Sequence, residues 1–233
     1  MNGKQAKELV IKHFNKDLNS LGFELKKTRD THIHYYNRYE GGYNHLGNSF
    51  DIYTPLVRFG FVMWKRIDEV ETILEKMHKC GIIDTELTTD SPTLSLRHNH
   101  VDLKLISVGT EQELIGGFKK IITYITKEAL PVLNSFNDLR NIDKIVNGEG
   151  ENFWEDDSGH KPFTLAHFFY VRRLIIARLC KNDIEYSKCI EKVYEQVDNR
   201  LRKVNQEPFD RLDAEHELNK IIAFITEKIS HVY

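Results

Sequence analysis

Histidine, tyrosine, arginine and tryptophan crowd into residues 31–65 at a spacing that a β-strand would sort by side. From Thr31 to Tyr39, Ile33 and Tyr35 fall on one face and His32, His34, Tyr36 and Arg38 on the other. Ser49 to Thr54 sets Phe50 and Ile52 against Asp51 and Tyr53. Val57 to Lys65 sets Val57, Phe59, Phe61 and Met63 against Arg58, Gly60, Val62 and Trp64. If these segments are neighbours, one surface gathers His32, His34, Tyr36, Arg38, Asp51, Tyr53, Arg58 and Trp64. Arginine offers a fork to carboxylate or phosphate, and tyrosine and tryptophan offer stiff contact area. Tyr36, Arg38, Tyr53, Arg58 and Trp64 are therefore candidate binding residues. The other reading is that later helices cover this face and its polar groups pair internally. A register slip of one residue would reverse the assignment.

The same stretch raises metal chemistry. His32 and His34 share a strand face, and His98 and His100 flank a turn signal. Two such pairs could supply four imidazoles in tetrahedral geometry to zinc, the basis for a metal-assisted hydrolase. The rival reading is that they are ordinary surface or core histidines and that no cofactor is held.

Other catalytic signatures are incomplete. His216-Glu217 on a C-terminal helix has Lys220 where the second histidine of a zinc-protease motif must stand. Gly116-Gly117-Phe118-Lys119-Lys120 lacks the spacing of a phosphate loop. No nucleophile elbow or dinucleotide fingerprint occurs. The run from Glu149 to Asp157 joins acidic groups to Phe153 and Trp154, which makes Trp154 a second candidate contact. Phe168 and Arg172, on an aromatic helix, read as core with a basic flank, and a ligand pocket there has no further support. Cys80, Cys180 and Cys189 form no CxxC pair and read as reduced, buried thiols.

The elements that must position these residues follow from periodicity. Ala6, Leu9, Val10, Phe14, Leu18 and Leu21 make one helical stripe, which Gly22 can end in a left-handed conformation. An extended segment starts at Phe23. Glu40 to Asn48, with Gly41, Gly42 and Gly47, reads as a loop. Pro55 divides the next two strand segments. A helix runs from Asp68 to about Lys79 and ends at Gly81. Thr93–Arg97 and Val101–Ile106 read as a hairpin, with Leu94, Leu96, Val101, Leu103 and Leu105 inward. Helices are expected over Glu111–Leu130, with Pro131 ending or kinking the first, and over Leu139–Val146. Three more close the chain at about Thr164–Cys180, Ile184–Val204 and Phe209–Ser230, with Asp183 and Asp210 as caps.

Strands segregated from helices specify an α+β fold with a mainly antiparallel sheet of about five strands. Residues 1–108 form the sheet region and 109–233 a helical region packed with it as one compact unit. The first helix and the helix from Asp68 are expected on one sheet face.

At 233 residues, 40% hydrophobic and 29% charged, the chain can bury a core without staples. A net charge of -2 disfavours a protein built to grip a nucleic-acid backbone. No run of about 18 apolar residues and no signal core is present, so a cytoplasmic protein without a membrane is expected.

Leu21-Gly22-Phe23 after an opening helix, the basic Lys26-Lys27, a strand ending in Arg38 and the Arg66-Ile67-Asp68-Glu69-Val70 helix start form a pattern. It resembles a group of uncharacterised bacterial α+β proteins associated with immunity proteins of toxin systems. The resemblance covers about the first third of the chain and carries no site residue. It implies a bacterial, non-catalytic protein that binds a protein partner, with an immunity-type inhibitor as the role. The hydrolase above and a structural subunit of a larger complex are the alternatives.

Overall fold

The computed structural model describes residues 1–29, 31–53, 55–83, 91–96, 105–148, 163–165, 169–203 and 208–229. The fold is α+β with an antiparallel sheet and helices in the C-terminal half. In chain order the elements are α1 (Gly3–Ser20), β1 (Glu24–Arg29), β2 (His32–Tyr39), β3 (Gly42–Tyr53), β4 (Leu56–Ile67) and α2 (Asp68–Lys79). Then follow β5 (Leu94–Leu96), β6 (Ile106–Val108), α3 (Glu111–Tyr124), α4 (Leu130–Ser135) and α5 (Leu139–Asp143). The chain closes with β7 (Phe163–Leu165), α6 (Phe169–Leu179), α7 (Asp183–Lys203) and α8 (Pro208–Ile229). Among the described residues, no helix is long and apolar enough to cross a membrane.

These elements gather into two compact units. The first contains α1, β1 to β6, α3 and α4, and the second α2 and α5 to α8. Residues 111–135 thus belong with the sheet, although they begin the helical part of the sequence. The helix from Asp68, expected on the sheet, gathers in the second unit with α6.

In the first unit the strand order is β1-β2-β3-β4-β5-β7, with β6 also on β4. α1 starts with a capping box, in which Asn2 Oδ1 accepts from Gln5 N–H and Gln5 Oε1 from Asn2 N–H, both at 2.9 Å. It stops where Gly22 adopts φ 83° and Phe23 N–H bonds Leu18 O at 2.9 Å. Its buried stripe, Ala6, Val10, Phe14 and Leu18, covers one sheet face together with Leu114, Phe118 and Ile121 of α3. Ile33, Tyr35, Leu46, Phe50, Val57, Phe59, Phe61 and Met63 meet them from the strands. Phe118 packs between Phe14 and Phe59, with ring centroids 4.8 and 6.2 Å away. The close approach of α3 explains Gly117, where a Cβ would stand 3.0 Å from Phe59 and 3.1 Å from Ile106. Within the Gly116-Gly117 pair, Gly117 is thus the packing device, and a Cβ at Gly116 would meet nothing within 4 Å.

Several sequence expectations need correction. Residues 40–48 are not a loop: Glu40-Gly41 makes the whole turn, with Gly41 at φ 89°, and β3 runs unbroken from Gly42. The glycines mark a turn and a crowded strand, not an irregular segment. β5 and β6 both pair antiparallel with β4 and so run in the same direction along one edge, and residues 97–104 of the expected hairpin lie outside the described residues. Leu94 and Leu96 are buried as expected, but Leu105 is exposed. Val101 and Leu103 lie outside the described residues. Pro131 ends no helix: a π-turn over Ile125–Ala129 precedes it, with Leu130 N–H bonded to Ile125 O, and the chain stays helical to Ser135. The wider turn absorbs the missing proline donor.

In the second unit, α6 is apolar nearly all round. Val171, Leu174, Ile175, Ile176 and Ala177 are all fully buried. Arg172 and Arg173 are buried beside them. Arg172 grips Glu71 of α2 with two bonds, Nε to Oε1 at 2.9 Å and Nη2 to Oε2 at 2.7 Å. Arg173 Nε donates to Asn147 Oδ1 at 2.9 Å. Asn147 and Asn182 both donate to Asp143, at 2.7 and 2.8 Å. This helix begins at Phe169, not Thr164, because Phe163–Leu165 is strand. α7 is capped by Asn182, whose Oδ1 accepts from Glu185 N–H, and Asp183 is its first residue. α8 opens on Pro208, so Asp210 lies inside the helix and is not its cap.

Candidate functional site

The face of the sheet opposite α1 and α3 is built by β1 to β4. Directly paired residues share a face, so the register assigns it: His32↔Ser49, His34↔Gly47, Tyr36↔His45 and Arg38↔Tyr43, then His45↔Trp64, Gly47↔Val62 and Asp51↔Arg58. His32, His34, Tyr36, Arg38, Asp51, Arg58 and Trp64 thus lie on one face, as their alternation predicts, and the side chain of Tyr53 lies outside what the structure describes. They do not converge on one spot. Trp64 pairs with His45 and Tyr53 pairs with Leu56, at opposite ends of β3 and β4. Eight strand residues separate those ends, about 27 Å. Asp51 and Arg58 lie toward one end, and Tyr36, Arg38 and Trp64 toward the other.

The second end is a packed aromatic cluster. His45 stacks on Trp64 at 4.2 Å between centroids, with 28° between planes. Tyr36 meets His45 edge-on at 5.0 Å and Tyr43 at 5.0 Å, and Tyr43 meets Trp64 at 5.5 Å. The Arg38 guanidinium lies 5.7 Å from the Tyr43 ring centroid, a cation–π distance. Tyr43 and His45 are buried, Tyr36 and Trp64 half-buried, and Arg38 exposed. His45 and Tyr43 fall in the stretch read as a loop and were missed. Carrying the period of Phe50 and Ile52 back through Leu46 would have found them.

His34 Nδ1 and His45 Nε2 are hydrogen-bonded at 2.9 Å. His34 lies opposite Gly47, so His45 reaches it diagonally, by laying its ring over residue 47. A Cβ there would stand 2.8 Å from His45 Cε1 and 3.2 Å from Val62 Cγ2. His45 Nδ1 is buried without a hydrogen-bond partner. The arrangement with no orphan donor puts the His45 proton on Nε2, donated to His34. Protonating His45 would bury an unpaired N–H, and burial, with His34 beside it, holds its pKa down at about 3. Gly47→Ala is expected to push the His45 ring off His34 and cost about 1–3 kcal/mol. Urea unfolding and the imidazole resonances of His34 and His45 check this. Unchanged stability and unchanged resonances would show that the ring does not need the space.

The histidines therefore meet differently from the metal expectation. His34 is bonded to His45, and His32 stacks on His34 at 6.4 Å. His98 and His100 lie outside the described residues, as does Trp154. Among the described residues, no group of three His, Cys, Asp or Glu is placed to hold a metal. His216 and Glu217 are exposed on α8, with Glu217 ion-paired to Lys220 at 2.9 Å. Arg172 lines no ligand site with Phe168: it is buried on Glu71, and Phe168 lies outside the described residues. The cysteines divide: Cys189 is buried and donates to Asn147 Oδ1 at 3.2 Å, Cys180 is half-buried, and Cys80 is exposed. Burial, then Asp143, pushes the Cys180 thiol up to about 12, away from nucleophilic reactivity.

One ionisable group on the core face also escaped sequence reading. Lys65 is fully buried, with Nζ 2.6 Å from Asn137 Oδ1, 3.2 Å from Asn44 Oδ1 and 3.6 Å from the Tyr39 ring centroid. Burial lowers its pKa to about 7. The amide oxygens and the ring satisfy its amine from within.

Searches against protein-family models, curated proteins and solved structures find no significant match to this chain. The functional reading rests on the site itself.

Proposed function

We propose that this chain is a non-catalytic protein-binding module that works through the sheet face formed by β1 to β4. A stoichiometric, immunity-type inhibitor is the role it fits. The observation that supports this reading is the cluster of Tyr36, Tyr43, His45 and Trp64, whose rings are held by one another before any partner arrives. Rings already fixed lose little entropy on binding, and half-buried Tyr and Trp beside an exposed Arg are the residue types that dominate interface energies. A partner covering roughly 800 Å² would span the cluster and the neighbouring Ser49, Gly60 and exposed Val62.

The test uses a partner captured from the source cytosol and re-measured with purified components. Tyr36→Ala and Trp64→Ala are each expected to weaken affinity by about 10- to 30-fold, and Arg38→Ala by about fivefold. If all three leave the affinity intact, the partner does not use this face and the reading fails.

A further inference from the structure

We infer that the partner segment received by the Tyr36 and Trp64 cluster is proline-rich and bound as a left-handed polyproline helix, an inference that rests on the protein-binding reading above. The strand ladder sets the spacing. Tyr36 pairs with His45 and His45 with Trp64, so the three residues form one row across β2, β3 and β4. Two strand spacings separate the ends of that row, about 9.5 Å. The rings keep to it, because the centroids of Tyr36 and Trp64 lie 5.0 and 4.2 Å from that of His45. Tyr36 and Trp64 are half-buried and His45 between them is buried, so a ligand meets the two ends of the row and not its middle. A polyproline helix advances about 3.1 Å per residue with three residues per turn, so prolines i and i+3 stand on one ridge about 9.3 Å apart. That repeat matches the row, with one proline ring resting on each end.

The hydrogen-bonding groups fit the same ligand. A proline-rich backbone offers carbonyl acceptors and few N–H donors. Among the described residues nothing accepts from Trp64 Nε1–H, and that atom is not one of the buried groups left unsatisfied, so it opens outward. Arg38 is exposed, and its guanidinium lies near the Tyr43 ring with no acceptor bonded to it. Both have donors to give to carbonyls. The carboxylate nearest in the ladder, Glu24 opposite Tyr36, is held by Lys26 at 2.7 Å. Aromatic-lined surfaces are the recurring site for such segments, whose preformed helix loses little entropy on binding.

Other occupants fit less well. β1 ends the strand order, but its ladder with β2 skips Lys26, and a bulge of this kind spoils an edge for strand addition. The segment therefore lies across the face and not along the edge. A single-stranded nucleic acid needs open ring faces and a line of cations. Here Tyr43 and His45 are buried, one face of Trp64 is taken by His45, and the chain carries a net charge of -2.

The experiment titrates the full chain with peptides of about ten residues and, separately, with an oligothymidylate of similar length. The indole N–H resonance of Trp64, identified by its loss in Trp64→Phe, and calorimetry follow binding. A Pro-x-x-Pro repeat in an alanine background is expected to bind and to move that resonance downfield, because the indole gains a carbonyl acceptor. The same prolines set two residues further apart leave the ridge and are expected to bind at least about fivefold more weakly. Trp64→Ala and Tyr36→Ala should each weaken the first peptide by about tenfold or more. Tyr36→Phe keeps the ring and its packing, should stay within about threefold, and guards against misfolding of the alanine variants. No shift of the indole resonance at about 2 mM peptide, equal affinity for the two spacings, or tighter binding of oligothymidylate than of peptide overturns the inference. The parent reading is separable. A captured partner that is weakened by Trp64→Ala but not displaced by excess Pro-x-x-Pro peptide would sink the proline-rich segment and keep the protein-binding face.

Discussion

Replacing Glu71 by alanine is expected to destabilise the protein by about 3–5 kcal/mol. Glu71 and Arg172 are each 1% exposed and joined by two bonds at 2.9 and 2.7 Å. Removing the carboxylate leaves a guanidinium in a helix core of Val171, Leu174, Ile175 and Ile176, away from water. Arg172 Nη1 has no hydrogen-bond partner even in the native chain, so no spare acceptor waits to take the charge. The cost comes from an uncompensated ion, not from the worth of the pair. Replacing both residues by methionine should therefore recover most of the loss, because two well-packed apolar side chains substitute for a buried ion pair at little net cost. Urea unfolding of the two single variants and the double variant closes the cycle. A loss below about 1 kcal/mol for Glu71→Ala would mean that water reaches Arg172.

The second large effect is linked to acid. Between pH 7 and pH 5 the native protein is expected to lose about 2 kcal/mol of stability relative to His45→Phe. In the unfolded chain His45 takes up a proton near its ordinary pKa of 6.5, whereas in the fold it resists protonation down to about 3. The unfolded state therefore binds more protons through that interval. The contribution of neutral His45 is complete above about 6.5 and drains away as pH falls toward 3. Phenylalanine keeps the stack on Trp64 and does not titrate, so other acid-sensitive groups cancel in the difference. Stability curves that stay parallel from pH 7 to pH 5 would show that His45 gains a proton within the fold. The same experiment bears on function, because loss of the His34 bond loosens the cluster proposed to meet the partner.

Much of the candidate site was legible as a face and little of it as a place. The two-residue period of Ile33 and Tyr35 on β2, and of Val57 to Met63 on β4, assigned His32, His34, Tyr36, Arg38, Arg58 and Trp64 correctly to the outer side. Period says nothing about distance along the strands, so Tyr53 and Trp64 looked like neighbours when they lie at opposite ends. His45 was hidden by Gly41, Gly42 and Gly47, which share one composition signal but do different things. Gly41 bends the chain, while Gly47 makes room for a ring inside a strand. The bulge at Lys26 left no trace in the order of residues, because Glu24-Leu25-Lys26-Lys27-Thr28-Arg29 alternates in no regular way.

By itself the sequence determined the class and most of the local elements. The helical stripe of α1, the alternating strands, the start of α2 at Asp68 and the late helices follow from local periodicity and caps, which depend on neighbours within a few residues. Tertiary structure alone decided which polar groups are buried together. Glu71 finds Arg172, Lys65 finds Asn137 and His34 finds His45 across 101, 72 and 11 residues of chain. Such partners are chosen by packing and by the penalty for burying an unpaired charge, and neither acts on residues adjacent in the chain.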